Sequence, residues 1–179
     1  MEIYIDRYNK RFFTFRWLRY SLQGKDTTSL IPLYDQPVQT LQIKRIKGMT
    51  VPSWQAEDFI RLEQFIDVNT SPEETVLTFP EIGSLNYLMD RPFVGRFPLA
   101  TLSWLNSRWH EEFVAQLKSN PPNILIMSKD PGRSFPYGYF KIPQNKPKYD
   151  EVMDFIQAHY RKVDETPTYF IYRNKLVRP

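Results

Sequence analysis

A small α/β domain, with helices packed on a mostly parallel sheet, is the fold class that three observations predict. Short apolar runs, Thr75–Phe79 and Asn123–Met127, alternate with longer stretches of helical period, as strand–helix–strand units do. Those runs are apolar almost throughout, the pattern of strands buried on both faces. Hydrophobic residues make up 41% of the 179 residues and aromatics 16%, enough to fill the core of one domain.

Residues 1–22 form a separate basic and aromatic segment, and residues 23–179 form the α/β domain. The break between them is the turn-rich Gly24-Lys25-Asp26-Thr27-Thr28-Ser29. Two strands are expected next, Leu30–Tyr34 and Val38–Ile46, able to pair antiparallel at an edge, with Gly48 closing the second. Pro52 and Ser53 then start a helix over Trp54–Val68, where Phe59, Leu62, Phe65 and Ile66 share a face. Asn69-Thr70-Ser71-Pro72 stops it. Thr75–Phe79 is a strand, and Pro80-Glu81 turns the chain into a short helix carrying Ile82, Leu85, Leu88 and Met89.

A connection rich in Pro and Arg runs from Asp90 to about Leu105. The next helix is Asn106–Ser119, with Trp109, Phe113 and Leu117 at i, i+4 and i+8, ended by Pro121-Pro122. Asn123–Met127 is a second buried strand, followed by a long loop, Ser128–Lys146. A helix over Tyr149–Tyr160 and a strand over Thr168–Tyr172 complete the pattern.

Composition excludes several chemistries. With no cysteine, neither disulfides nor thiolate metal sites can form. The net charge of +4 is mild, and its clearest cluster, Arg7, Lys10, Arg11, Arg16 and Arg19, is interleaved with aromatics rather than spread over a face that would grip nucleic acid. Two readings fit this cluster. Arg11, Arg16, Trp17 and Arg19 suit a membrane–water boundary, with rings among headgroups and cations on phosphates; alternatively the aromatics pack inward. No run approaches the ~20 apolar residues that span a bilayer. No signal peptide is evident after Met1-Glu2, so a chain that is soluble or surface-associated is expected.

No catalytic constellation stands out. There is no Gly-x-Ser-x-Gly elbow, no phosphate-cradling glycine loop and no paired-histidine metal motif. His110 and His159 lie inside predicted helices, and His110-Glu111-Glu112 reads as a solvated helix start. No cofactor or metal is expected.

Two loops are candidates for ligand binding. The first, Phe79 to Pro92, leaves the carboxyl end of a predicted strand, where open α/β sheets hold ligands. It gathers Glu81, Asn86, Asp90 and Arg91, with Arg96 just beyond. The second, Lys129 to Phe140, carries Arg133, Tyr137 and Tyr139; its aromatics could stack on a sugar ring while the arginine holds a phosphate. If both strands point the same way, both loops share one sheet edge.

Several segments, in order, resemble a known family. These are Arg45-Ile46-Lys47-Gly48 with Val51-Pro52, Asn69-Thr70-Ser71-Pro72-Glu73-Glu74-Thr75-Val76, and Phe79-Pro80. Leu85-Asn86-Tyr87-Leu88-Met89-Asp90-Arg91-Pro92, Asn120-Pro121-Pro122 and Phe135-Pro136-Tyr137-Gly138 follow. Over roughly residues 44–173 the chain resembles the C-terminal extracytoplasmic domain of bacterial polytopic glycosyltransferases, the GT-C-type enzymes related to dolichyl-phosphate-mannose–protein mannosyltransferases.

The resemblance implies a non-catalytic domain at the extracytoplasmic (periplasmic) face of the bacterial cytoplasmic membrane. It would cover the active site or bind an acceptor or glycan, beside a membrane part that uses a lipid-linked sugar. Its partners would be that membrane part or the membrane surface, and no nucleic acid. The family's catalytic motif has no counterpart here, so no catalytic residue carries over. The alternative is a free-standing α/β binding protein, cytoplasmic in that case.

Overall fold

The computed structural model describes residues 37–82, 84–96, 100–101, 105–129, 143 and 145–176. Residues 1–22, the expected strand Leu30–Tyr34 and most of the second candidate loop lie outside the described residues.

The described chain opens with a ribbon. β1 (Val38–Thr40) pairs antiparallel with β2 (Thr50–Pro52). The expected strand thus ends early: Lys44–Ile46 is a 3₁₀ turn, and Leu41 and Ile43 just before it are buried in the core. Gly48, with φ of 88°, closes the ribbon and donates its N–H to the Leu41 carbonyl. The partner of β1 is β2, a strand that sequence reading did not expect, while the expected strand Leu30–Tyr34 lies outside the described residues.

α1 (Ser53–Asn69) follows, then β3 (Val76–Phe79), β4 (Glu81–Ile82) and α2 (Ser84–Leu88). β5 (Ala100–Thr101) pairs antiparallel with β4, so Glu81 and Ile82 lie in a strand and not in the predicted helix. α3 (Ser107–Ser119) starts at Asn106, whose side chain accepts the Trp109 N–H, as an N-cap does. β6 (Ile124–Ser128), α4 (Asn145–His159), β7 (Tyr160–Glu165) and β8 (Tyr169–Asn174) complete the described elements.

The main sheet has the order β3-β6-β8-β7. β3 and β6 are parallel, and β8 is antiparallel to both β6 and β7. Three of the four strands therefore point the same way, with β8 inserted against them. This is the expected α/β class, in the form of a mixed sheet. The inserted strand arises because β7 and β8 form a hairpin at the end of α4. β7 itself escapes sequence reading: Arg161, Lys162, Asp164 and Glu165 give it no apolar run, and it follows α4 without a break.

Alternation along the strands builds two core layers. On one face Leu77, Phe79 and Leu125 meet Phe113, Val114 and Leu117 of α3 and Val152, Phe155 and Ile156 of α4. On the other, Val76, Ile124, Ile126 and Ile171 meet Ala56, Leu62 and Ile66 of α1, together with Leu41, Ile43 and Val51 of the ribbon. Burial on both faces is why β3 and β6 read as continuous apolar runs. Tyr160 belongs to the first layer, and its hydroxyl donates to the Pro122 carbonyl at 2.7 Å.

One buried carboxylate organises the hairpin. Asp58 of α1, 1% exposed, accepts hydrogen bonds from the hydroxyls of Thr166 and Thr168 and, at 2.9 Å, from the Thr168 N–H. The turn between β7 and β8 is thereby fixed to α1.

Candidate functional site

Both candidate loops leave the sheet on the same side. β3 and β6 pair in parallel register, Val76 opposite Ile124 through Phe79 opposite Met127, so their carboxyl ends lie together. The first loop then changes direction. Beyond β4 and α2 it returns along the outer edge of β3, and the Val76 N–H donates to the Pro92 carbonyl at 3.1 Å. A sheet edge has unpaired backbone groups that need such partners when buried.

Asn86 completes this cover. Its Nδ2 donates to the carbonyls of Val76 (2.8 Å) and Pro92 (3.0 Å), and its Oδ1 accepts the Thr78 hydroxyl at 3.0 Å. At 1% exposure and with both amide hydrogens used, Asn86 holds the edge of β3. Its amide hydrogens are therefore already engaged, although the residue borders the open cleft beside α2.

Arg91 is engaged in the same way and also borders that cleft. Its side chain is 6% exposed. Nε donates to the Thr70 hydroxyl, Nη1 to the Met89 and Asp90 carbonyls, and Nη2 to the Asp67 carboxylate and the Thr70 carbonyl. A guanidinium has five N–H donors, and all are engaged. Arg91 clamps the end of α1 to the end of α2, where its charge also complements the α1 carboxyl terminus.

Asp90 is set by backbone geometry. It has φ of 55°, while its N–H bonds the Tyr87 carbonyl and the Arg91 N–H bonds the Asn86 carbonyl. These are the paired bonds of a Schellman helix end, which needs a left-handed residue at this position; aspartate tolerates that conformation better than most side chains. The turn aims the Asp90 carboxylate at the ribbon. There Arg45 donates to Oδ1 through both Nε (2.9 Å) and Nη2, and Lys44 Nζ lies 3.4 Å from Oδ2. The hydrogen bond from Arg45, helped by Lys44, holds the Asp90 carboxyl below its ordinary range against the opposing effect of desolvation. The same bond raises Arg45.

Next to this pair, the Arg45 guanidinium lies 5.6 Å from the centre of the Tyr87 ring, which is 59% exposed. An open cleft of about 370 Å³ runs beside them, with Pro72, Pro92 and Phe93 along its apolar wall. Sequence reasoning found Asp90 but not its partners. Arg45 and Tyr87 carry no local signal, because what joins them is the approach of the 3₁₀ turn to α2.

The other candidates lie elsewhere. Arg96 is exposed, 3.6 Å from Glu112 of α3. Glu81 pairs with Thr101 through the β4–β5 ladder. Arg133, Tyr137 and Tyr139 lie outside the described residues, as do Arg11, Arg16, Trp17 and Arg19. His110, expected on a solvated helix face, is buried: its Nε2 sits 3.0 Å from Glu151 of α4. Among the described residues no cluster of acidic and histidine side chains could hold a metal, and no helix is long and apolar enough to cross a membrane.

Comparison with protein-family models, with curated protein sequences and with solved structures finds no match to this chain.

Proposed function

We propose that this chain is a non-catalytic recognition domain of a membrane glycosyltransferase that uses a lipid-linked sugar donor. It works at the extracytoplasmic face of the cytoplasmic membrane, where it covers the active site or binds the acceptor or glycan. One observation carries the reading. Two segments on which the family resemblance rests, Arg45–Gly48 and Leu85–Pro92, are far apart in sequence, yet they meet through the Arg45–Asp90 bond and line a single open cleft. An exposed aromatic ring beside a few directed polar groups is the usual make-up of a small-ligand site.

The test is made in membranes of the source cells. The codons for residues 37–176 are deleted, and transfer of radiolabelled sugar from a polyprenyl-phosphate carrier to extracytoplasmic acceptors is followed. Loss of transfer, restored by the intact sequence, supports the reading. Unchanged transfer leaves the free-standing binding protein as the account of the chain.

A further inference from the structure

We infer that the cleft beside α2 takes a neutral sugar ring and not a phosphate or other anion. The inference rests on the reading of this cleft as a recognition surface, and it names the ligand class from the chemistry that remains available there.

An anion site needs positive groups with donors to spare. Arg91 has none, since all five of its N–H groups are engaged internally. Arg45 and Lys44 both face the Asp90 carboxylate, which is held ionised by them. A phosphate entering here would meet that carboxylate at close range, and the positive charge of Arg45 and Lys44 is already matched by it.

A sugar ring makes the opposite demands. It offers an apolar C–H face and a rim of hydroxyls, each both donor and acceptor. The Tyr87 ring, more than half exposed, supplies a flat partner for the face, and Pro72, Pro92 and Phe93 extend the apolar wall. For the rim, Asp90 Oδ2 has only the long Lys44 contact and keeps acceptor capacity. Arg45 Nη1 and the Tyr87 hydroxyl take no part in the hydrogen bonds among the described residues, whereas Arg45 Nε and Nη2 are fixed on Asp90. The ion pair thus presents an acceptor and a donor side by side, oriented in advance, at the edge of an aromatic platform. Each hydroxyl can engage them without leaving a charge unpaired.

The experiment uses the full chain with saturation-transfer NMR and calorimetry. The probes are methyl hexopyranosides, neutral hexose disaccharides and inorganic phosphate. Saccharide ring protons are expected to receive saturation. Tyr87→Ala weakens saccharide binding about tenfold, Tyr87→Phe keeps it within about threefold, and Asp90→Asn weakens it severalfold. Tyr87 is exposed, so these variants keep the fold, which circular dichroism verifies. Phosphate binding in place of saccharide, no saccharide binding, or saccharide binding unchanged by Tyr87→Ala overturns the inference. If saccharide binding fails while deletion of residues 37–176 still abolishes sugar transfer, this inference falls and the glycosyltransferase reading stands. Saccharide binding with unchanged transfer gives the reverse.

Discussion

The Arg91 guanidinium and the Asp67 carboxylate meet at 2.9 Å, although Arg91 is buried at 6% exposure and Asp67 is 60% in solvent. The energetic weight of this contact lies on the arginine side. Removing Asp67 takes one charge partner from a buried guanidinium but leaves its four other N–H bonds in place, a loss of about 1–2 kcal/mol. Removing Arg91 leaves three carbonyls and the Thr70 hydroxyl without their donors. Arg91→Ala is therefore expected to cost ~2–4 kcal/mol, and Arg91→Lys most of that, because an ammonium cannot reproduce the planar fork. Urea unfolding of Asp67→Ala, Arg91→Ala and Arg91→Lys tests the ordering.

A second asymmetry is expected at Asp58. Its two oxygens serve the hydroxyls of Thr166 and Thr168 and the Thr168 N–H. Asp58→Ala strands one buried and two half-buried donors and should cost ~2–4 kcal/mol. Asp58→Asn retains one acceptor, and a hydroxyl can rotate to accept from the new amide, so its cost is smaller. Protection of the β7–β8 turn from hydrogen exchange should fall in the same order.

What the sequence revealed, and what it hid, divides along one physical line. α1, β3, α3 and β6 were legible because each contributes a periodic apolar face to a core layer. β7 was not, since it is a charged edge strand whose position comes from pairing with β8. α4 begins at Asn145, earlier than the predicted Tyr149, because Pro147 falls in the first turn, where a missing N–H costs nothing. At the candidate site, Asn86 and Arg91 had the residue types of ligand-binding groups, and only tertiary structure shows that their partners are internal. Arg45 and Tyr87 were overlooked because their partners lie more than 40 positions away or on another element.

Acid should weaken the contact between α3 and α4. The hydrogen bond from His110, then that from Lys118, holds the Glu151 carboxyl below its ordinary value of 4.5, with desolvation opposing. A carboxyl whose folded value is depressed contributes stability that is fully present above its unfolded value. That contribution is lost as pH falls through the lower folded value. The window therefore lies below 4.5. Urea midpoints of the wild type and Glu151→Gln, compared at about pH 6 and about pH 3, should converge at the acidic end.

The membrane expectation for residues 1–22 has its own check. Co-sedimentation with anionic vesicles should be strong at low salt and weaken as salt screens the arginines. It should disappear on deletion of residues 1–22. Binding that survives the deletion would move the contact to residues 23–179.

Sugar transfer by membranes whose only copy of this sequence carries Tyr87→Ala bears most directly on the central claim. The ring is exposed, so the substitution spares the core and removes the platform of the cleft. The account predicts that transfer from the polyprenyl-phosphate carrier falls at least several-fold, while Tyr87→Phe leaves it near the wild-type rate. Wild-type transfer by Tyr87→Ala membranes, with the variant present at normal abundance, would contradict it.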